Sequence, residues 1–444
     1  MNPRGPIGVA APPVLAGPGV ASLVSSADNT GQSLALRVFL VYLFILYARP
    51  TDFVLTGLRL PAIFFLLTVV LTLLVGGVQR AIGHRVALCF AGFLFWMVVA
   101  IPFSLYRGGS VQVLVNTLYA AAMFVAVGGL STSIQHLRSI LTTLAVSATL
   151  FAVFSWASGE TVNERLMMEQ GTFGNANDIA QILLMGLPFL IFSFLEWKDK
   201  PFRRAAVALA VIPVAVALAR TGSRAMFVTS GVLFLLLFLR ASFPAKVKLL
   251  ALAVLAVVTL GAFLPDKLKE RYVTYEEGSE EVGDAVGSTM NRRQLFKQSL
   301  ILTGEHPVFG VGPGMFPLAT SQEKQEDRPE WSAWRVTHNL YTQVSSECGI
   351  PALVFYLLAI LAAFRALRSA ERLHAGSAHP VSVSIRRAAV AIRMSFVSFC
   401  VFGMFLSIAY GYQVFTLAGL AVALERVAAR HAQELAAAPL AAPR

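Results

Sequence analysis

His338-Asn339-Leu340-Tyr341-Thr342-Gln343-Val344-Ser345-Ser346-Glu347-Cys348-Gly349-Ile350-Pro351 is the stretch on which the fold turns. It closes a long polar segment, Pro265 to Thr337, and leads into the apolar run 350–369. Polar before it and bilayer-length hydrophobic after it, the stretch reads as an outer loop re-entering a membrane. Further apolar runs lie on both sides, at 33–48, 58–79, 86–105, 110–130, 137–158, 179–197, 202–219, 225–240, 246–264, 388–410 and 412–426. With 350–369 they make twelve, several of them short. The last two can be one broken helix, and the pair around Arg220–Arg224 a buried hairpin. The composition, 56% hydrophobic and 14% charged over 444 residues, lies outside the range of a soluble domain. The expected fold class is therefore all-α: a polytopic transmembrane helical bundle of about 12 spans with one large outer loop containing short helices.

Charge placement orients this bundle. With the N-terminus cytoplasmic, the inner segments hold 20 Lys/Arg, while the short outer segments hold only Arg49, Arg59, Arg107, Arg165, Arg220 and Arg224. The net charge of +12 is thus mostly topology, and it gives no reason to invoke nucleic acid. The expected organisation is a disordered cytoplasmic tail (1–32), helices 1–9 (33–264), the large outer loop (265–337), a re-entry helix with helices 10–12 (338–426), and a second cytoplasmic tail (427–444). Residues 1–32 are rich in Ala, Pro and Gly and lack the charged and apolar regions of a cleaved signal. Cys89, Cys348 and Cys400 lie in or beside apolar runs without metal-ligand spacing, which argues against disulfides and zinc.

The loop carries nine Lys/Arg against twelve Asp/Glu. Its part 275–284 reads as solvated chain, and Asn291–Thr303 as a short amphipathic helix. The Gly/Pro-rich 305–314 should stop that helix, and Pro329–Arg335 can begin another.

Four constellations stand at the outer side. Arg220-Thr221-Gly222-Ser223-Arg224 places two guanidiniums on a glycine turn, suited to a phosphate, with Arg224 the stronger candidate. The bland reading is a basic turn reaching lipid headgroups. Arg292 and Arg293 are adjacent, so on a helix at most one faces a given site. His338, with an imidazole that titrates near neutrality, can take a proton from a hydroxyl nucleophile, or it can be a satisfied ring at a helix start. Glu347 lies nine positions on, about 13 Å of rise and roughly half a revolution away on a straight helix. It therefore reads as a structural brace of the break at Gly349 and Pro351, and not as the partner of His338. Gly171–Asp178 reads as a turn with Asn177 or Asp178 capping the next helix, and Asn177 as a possible substrate edge. Metal ligands at usable spacing, phosphate loops and nucleophile elbows do not occur, so neither metal nor cofactor is expected.

Together and in this order, these pieces resemble the O-antigen ligase / O-antigen polymerase superfamily of bacterial membrane glycosyltransferases. The resemblance spans about residues 165–370. It rests on Gly174–Asn177, Arg220–Arg224, Arg292 with Phe296 in the usual tryptophan place, His306-Pro307-Val308-Phe309-Gly310-Val311-Gly312, His338–Tyr341 and Glu347–Gly349. It implies inverting, metal-independent transfer of a glycan from an undecaprenyl-diphosphate carrier on the periplasmic side of the inner membrane. The large loop is then periplasmic, and the acceptor is lipid A-core, another glycan repeat or a protein. His338 would activate the acceptor hydroxyl. Arg224 and Arg292 would hold the diphosphate, and Arg220 and Arg293, each beside a better match, are weaker candidates for it. Asn339 and Tyr341 belong to the same motif and are possible substrate-edge residues. A transporter of small solutes or anions, and a protein O-oligosaccharyltransferase, remain as alternatives.

Overall fold

The computed structural model describes residues 18–53, 55, 57–162, 165–168, 175–263, 283–326 and 335–437. Each of the twelve apolar runs overlaps a helix, but 58–79 is divided between Leu60–Leu74 and Gly77–Ile82, and 388–410 continues past Phe402 into a loop. Among the described residues, eight helices are long and apolar enough to cross a membrane. Leu60–Leu74 is shorter, at 15 residues. The runs 225–240, 246–264 and 388–410 overlap Arg224–Arg240, Phe243–Phe263 and Pro380–Phe402. The last two runs are separate helices, Pro380–Phe402 and Tyr412–Ala437, joined by a nine-residue loop. The first helix begins at Pro18, earlier than expected, with proline at its first position, where the missing N–H costs nothing. Residues 1–17, 264–282, 327–334 and 438–444 lie outside the described part. With them lie the expected helix start at Pro329, most of the first tail and the solvated part of the loop.

Burial ranks the helices. In Tyr412–Ala437 and Ala176–Glu196, 78% and 72% of the apolar window is buried inside the protein, against 28% in Arg85–Phe103 and Pro201–Arg220. The first two form the centre and the others the rim, where Leu209, Ile212, Leu88 and Phe95 face outward. Small residues set the close crossings. A β-carbon on Gly419 would lie 2.9 Å from the Phe124 carbonyl oxygen, and one on Gly186 would overlap Ala148.

Contacts between turns sort the helix ends into two sets. At one end the Arg426 guanidinium donates to the carbonyls of Arg80, Gly128 and Ser131, satisfying a helix C-terminus. Arg80 bonds Gln32 and Gly129, His84 pairs with Glu425, and Glu196 pairs with Arg138 and Arg387. At the other end Leu105 N–H donates to Val311, Arg165 to the Thr221 carbonyl, Ser223 to Asn177, and Tyr412 to Leu46. Every candidate residue lies at this second end. A short antiparallel hairpin, Glu160–Val162 with Arg165–Met167, also sits there. Three-residue strands are too short to show the alternation by which a strand is read from sequence.

Candidate functional site

The site is organised by a broken helix. Leu340–Leu373 runs as one rod except at Gly349, whose φ of 85° and ψ of 170° interrupt it just before Pro351. Such a break orphans backbone groups. The glycine-rich segment 306–314 supplies them. Val311 N–H donates to the Ser346 carbonyl and Gly312 N–H to the Glu347 carbonyl, each at 2.9 Å. In return Ile350 N–H donates to the Pro307 carbonyl at 2.8 Å. Gly310, Gly312 and Gly314 all have positive φ. A β-carbon on Gly310 would overlap the Glu347 backbone, and one on Gly312 would overlap Ser104. The alternating glycines are therefore what lets this loop thread the break. Phe309 is sandwiched against Phe103 and Trp96, which also donates its indole N–H to the Val308 carbonyl.

Glu347 is buried in this junction. Its carboxylate accepts from Tyr410 Oη at 2.7 Å and from Gly314 N–H at 2.9 Å. These bonds join the broken helix, the glycine loop and the loop 403–411.

His338 precedes the helix in a left-handed conformation, φ 51°. This is an uncommon state for a residue with a side chain, and it costs of order 1–3 kcal/mol unless its surroundings impose it. They do. His338 N–H donates to Ser407 Oγ at 2.9 Å, and Ser407 Oγ lies 2.8 Å from Thr337 Oγ1. Leu340 N–H donates to the Gly403 carbonyl at 2.6 Å. Asn339 is the helix N-cap, accepting from the N–H groups of Tyr341 and Thr342, and its amide donates to the Met404 carbonyl. Tyr341 donates its hydroxyl to the Cys400 carbonyl at 2.8 Å. Asn339 and Tyr341 are thus engaged in holding the backbone.

The imidazole of His338 makes no hydrogen bond to another described residue. Burial pushes its pKa down to about 4, helped by the positive charges of Arg292 and Arg335. This differs from the near-neutral histidine expected. The ring is half-buried and shares its surroundings with two guanidiniums, both of which disfavour the imidazolium. At neutral pH it is an uncharged base.

Arg292 and Arg293 lie on helix Gly283–Glu305. The buried face carries Leu295, Gln298, Ser299 and Leu302. Arg292 stands at its edge and is half-buried, whereas Arg293 is exposed on the side of Lys297. The helical rotation of 100° per residue separates them, and Arg292 is the one whose charge reaches His338.

The third cluster lies at the turn 221–223. Thr221 and Ser223 are fully buried, and Gly222 has φ of 58°. Ser223 Oγ donates to Asn177 Oδ1 at 2.7 Å, while Arg165 Nε donates to the Thr221 carbonyl at 2.9 Å. Asn177 is not the cap of its helix, and neither is Asp178. Asn175 is extended and accepts from Asn177 N–H, which leaves the Asn177 side chain to bind the turn. Arg224 begins the next helix and is half-buried, and Arg220 is exposed. Helix Ala176–Glu196 runs antiparallel to Pro380–Phe402, with Arg387 bonded to Leu195 and Glu196 at the far end. The 221–223 turn therefore stands at the same end as His338.

The sequence reading gave no role to the loop 403–411, which holds Ser407, Tyr410 and the carbonyls that bind 338–341. Its only signal is two polar side chains, Ser407 and Tyr410, in the otherwise apolar stretch 403–411.

Residues 205–357 match the family model described as O-antigen ligase. The match supports the O-antigen ligase and polymerase superfamily, and it contains Arg220, Arg224, Arg292, Arg293, His338, Asn339, Tyr341 and Glu347. Asn177 and Ser407 lie outside it. No curated protein matches the chain.

Proposed function

We propose that the protein is an inner-membrane glycosyltransferase that moves a glycan from an undecaprenyl-diphosphate carrier to an acceptor hydroxyl on the periplasmic side. The observation that carries this reading is His338: an uncharged imidazole on an imposed backbone, without a hydrogen-bond partner among the described residues and in the field of Arg292, inside the segment that matches the O-antigen ligase family. The acceptor oxygen attacks the anomeric carbon opposite the diphosphate and forms the new glycosidic bond. The anomeric bond to the diphosphate oxygen breaks with inversion, and that oxygen keeps the electron pair. His338 takes the acceptor proton. Arg224 and Arg292 hold the diphosphate and stabilise the charge it gains, with Arg220 and Arg293 at its periphery. Asn177 orders the turn that carries Arg224. Glu347 braces the break that fixes His338, and the chemistry requires neither metal nor cofactor. The twelve helices then span the membrane with both termini cytoplasmic and the segment 265–337 outside.

The test is to incubate the purified protein with undecaprenyl-diphosphate glycan and candidate acceptors. A lipid A-core product means ligase, a ladder of repeats means polymerase, and a glycosylated protein means oligosaccharyltransferase. Absence of any transfer, with uptake of a small anion into proteoliposomes, would establish the transporter alternative. Arg224→Ala should lower kcat by about 10²–10³-fold if the guanidinium meets charge that develops at the leaving diphosphate. Arg224→Lys should recover only part of this, because an ammonium cannot grip phosphate with two parallel bonds.

A further inference from the structure

The loop 403–411 does more than connect two helices. It contacts the re-entry segment through backbone carbonyls at Gly403 and Met404 and through side chains at Ser407 and Tyr410. Among the described residues, Ser407 is the hydrogen-bond partner of the His338 backbone N–H. Thr337 Oγ1 gives its proton to the Asn339 carbonyl at 3.1 Å, so the 2.8 Å contact with Ser407 is donated by the serine. Ser407 in turn accepts from His338 N–H. One hydroxyl thus both donates and accepts, and it joins the residues on either side of the strained φ. Nothing else among the described residues accepts from that N–H.

We infer that Ser407 is a positioning residue for the transfer reaction, its hydroxyl holding His338 in the left-handed conformation that aims the imidazole at the acceptor. This rests on the reading of His338 as the base. Without the hydroxyl, the His338 N–H and the Thr337 oxygen both lose a partner and the turn relaxes toward negative φ. The left-handed and right-handed regions point the side chain in different directions, so relaxation moves the ring by far more than a near-attack geometry tolerates.

The experiment compares Ser407→Ala, Ser407→Thr, His338→Ala and the control Ser395→Ala in the full-length protein, with undecaprenyl-diphosphate glycan as donor. Ser395 donates to the Met185 carbonyl deep in the bundle, so its loss reports stability alone. Ser407→Ala should lower kcat about 10- to 100-fold, with KM for the donor changed by less than about twofold and thermal stability no lower than that of Ser395→Ala. Ser407→Thr, which keeps the hydroxyl, should restore most of the rate. Should Ser407→Ala not fold, Ser407→Cys serves, since a thiol is a weaker hydrogen-bonding group. Its kcat must then fall below that of Ser407→Thr. Wild-type kcat in Ser407→Ala beside an inactive His338→Ala overturns this inference and leaves the base intact. Full activity in His338→Ala overturns the reading on which it rests. Equal impairment of Ser407→Thr and Ser407→Ala shows that the hydroxyl is not the cause, and it also overturns the inference.

Discussion

His338→Ala should leave the protein inserted and folded but lower transfer by about 10²–10⁴-fold, the usual contribution of a positioned general base. The folded state should tolerate the change, because the imidazole makes no hydrogen bond to a described residue and the backbone ties at 337–341 do not involve it. Alanine keeps the strain of positive φ, so His338→Gly or His338→Asn, which adopt that region more readily, separate loss of the base from loss of the turn. All three should be inactive at pH 7. Retained activity in any of them removes His338 from the reaction.

The same residue predicts a pH dependence with a definite sign. A base must be unprotonated, so activity falls as pH drops through its pKa, which in the free protein is about 4. Arg292 and Arg335 contribute to that depression by repelling the imidazolium. A bound diphosphate brings negative charge beside Arg292 and offsets the repulsion, so the pKa should rise when donor binds. The acid limb of kcat, which reports the donor complex, should therefore lie at higher pH than the limb of kcat/KM, which reports the free enzyme. Arg292→Gln should move the kcat/KM limb upward, because it removes a positive charge. Coincident limbs in the wild type would place the diphosphate elsewhere.

How much of this was legible in the sequence varied with the range of the interaction. The twelve apolar runs each overlap a helix because bilayer-length hydrophobicity is a local property, whereas the break at 75–76 and the loop after Phe402 lie inside apolar runs and give no such local sign. The choice between Arg292 and Arg293 was not legible. Adjacency says that they diverge, but only the packing of Leu295, Ser299 and Leu302 says which one turns inward. The cap at Asn175 was missed because Asn175, Asn177 and Asp178 all have capping side chains, and the bond from Ser223, 46 residues away, is what draws Asn177 off. Ser407 was missed for the same reason: its partners lie 69 and 70 positions back along the chain. The depressed basicity of His338 depends on burial and on arginines brought close by the fold.

Gly349→Ala should be the most damaging single substitution away from the chemistry. At φ 85° and ψ 170° the residue occupies a region essentially reserved for glycine, so alanine is strained before any neighbour is considered. Its β-carbon would also overlap the Val308 carbonyl oxygen and approach Phe309 N at 2.9 Å. Both are backbone atoms of the segment threaded through the break, which no rotamer change can move. Relief requires withdrawing 306–314, and with it the bonds from Val311 and Gly312 to the carbonyls of Ser346 and Glu347 and from Gly314 to the Glu347 carboxylate. Strain and overpacking together cost about 2–6 kcal/mol, and orphaned buried carbonyls add about 1–3 kcal/mol each. The expected result is a protein that fails to accumulate in membranes, or that accumulates with glycine-loop backbone amides exchanging freely with solvent, and without transferase activity in either case. Pro351→Ala tests the cause. Gly349 alone carries the non-helical backbone, so alanine at 351 should preserve the break and most of the activity. An active, stable Gly349→Ala protein would mean that the glycine loop does not thread the helix.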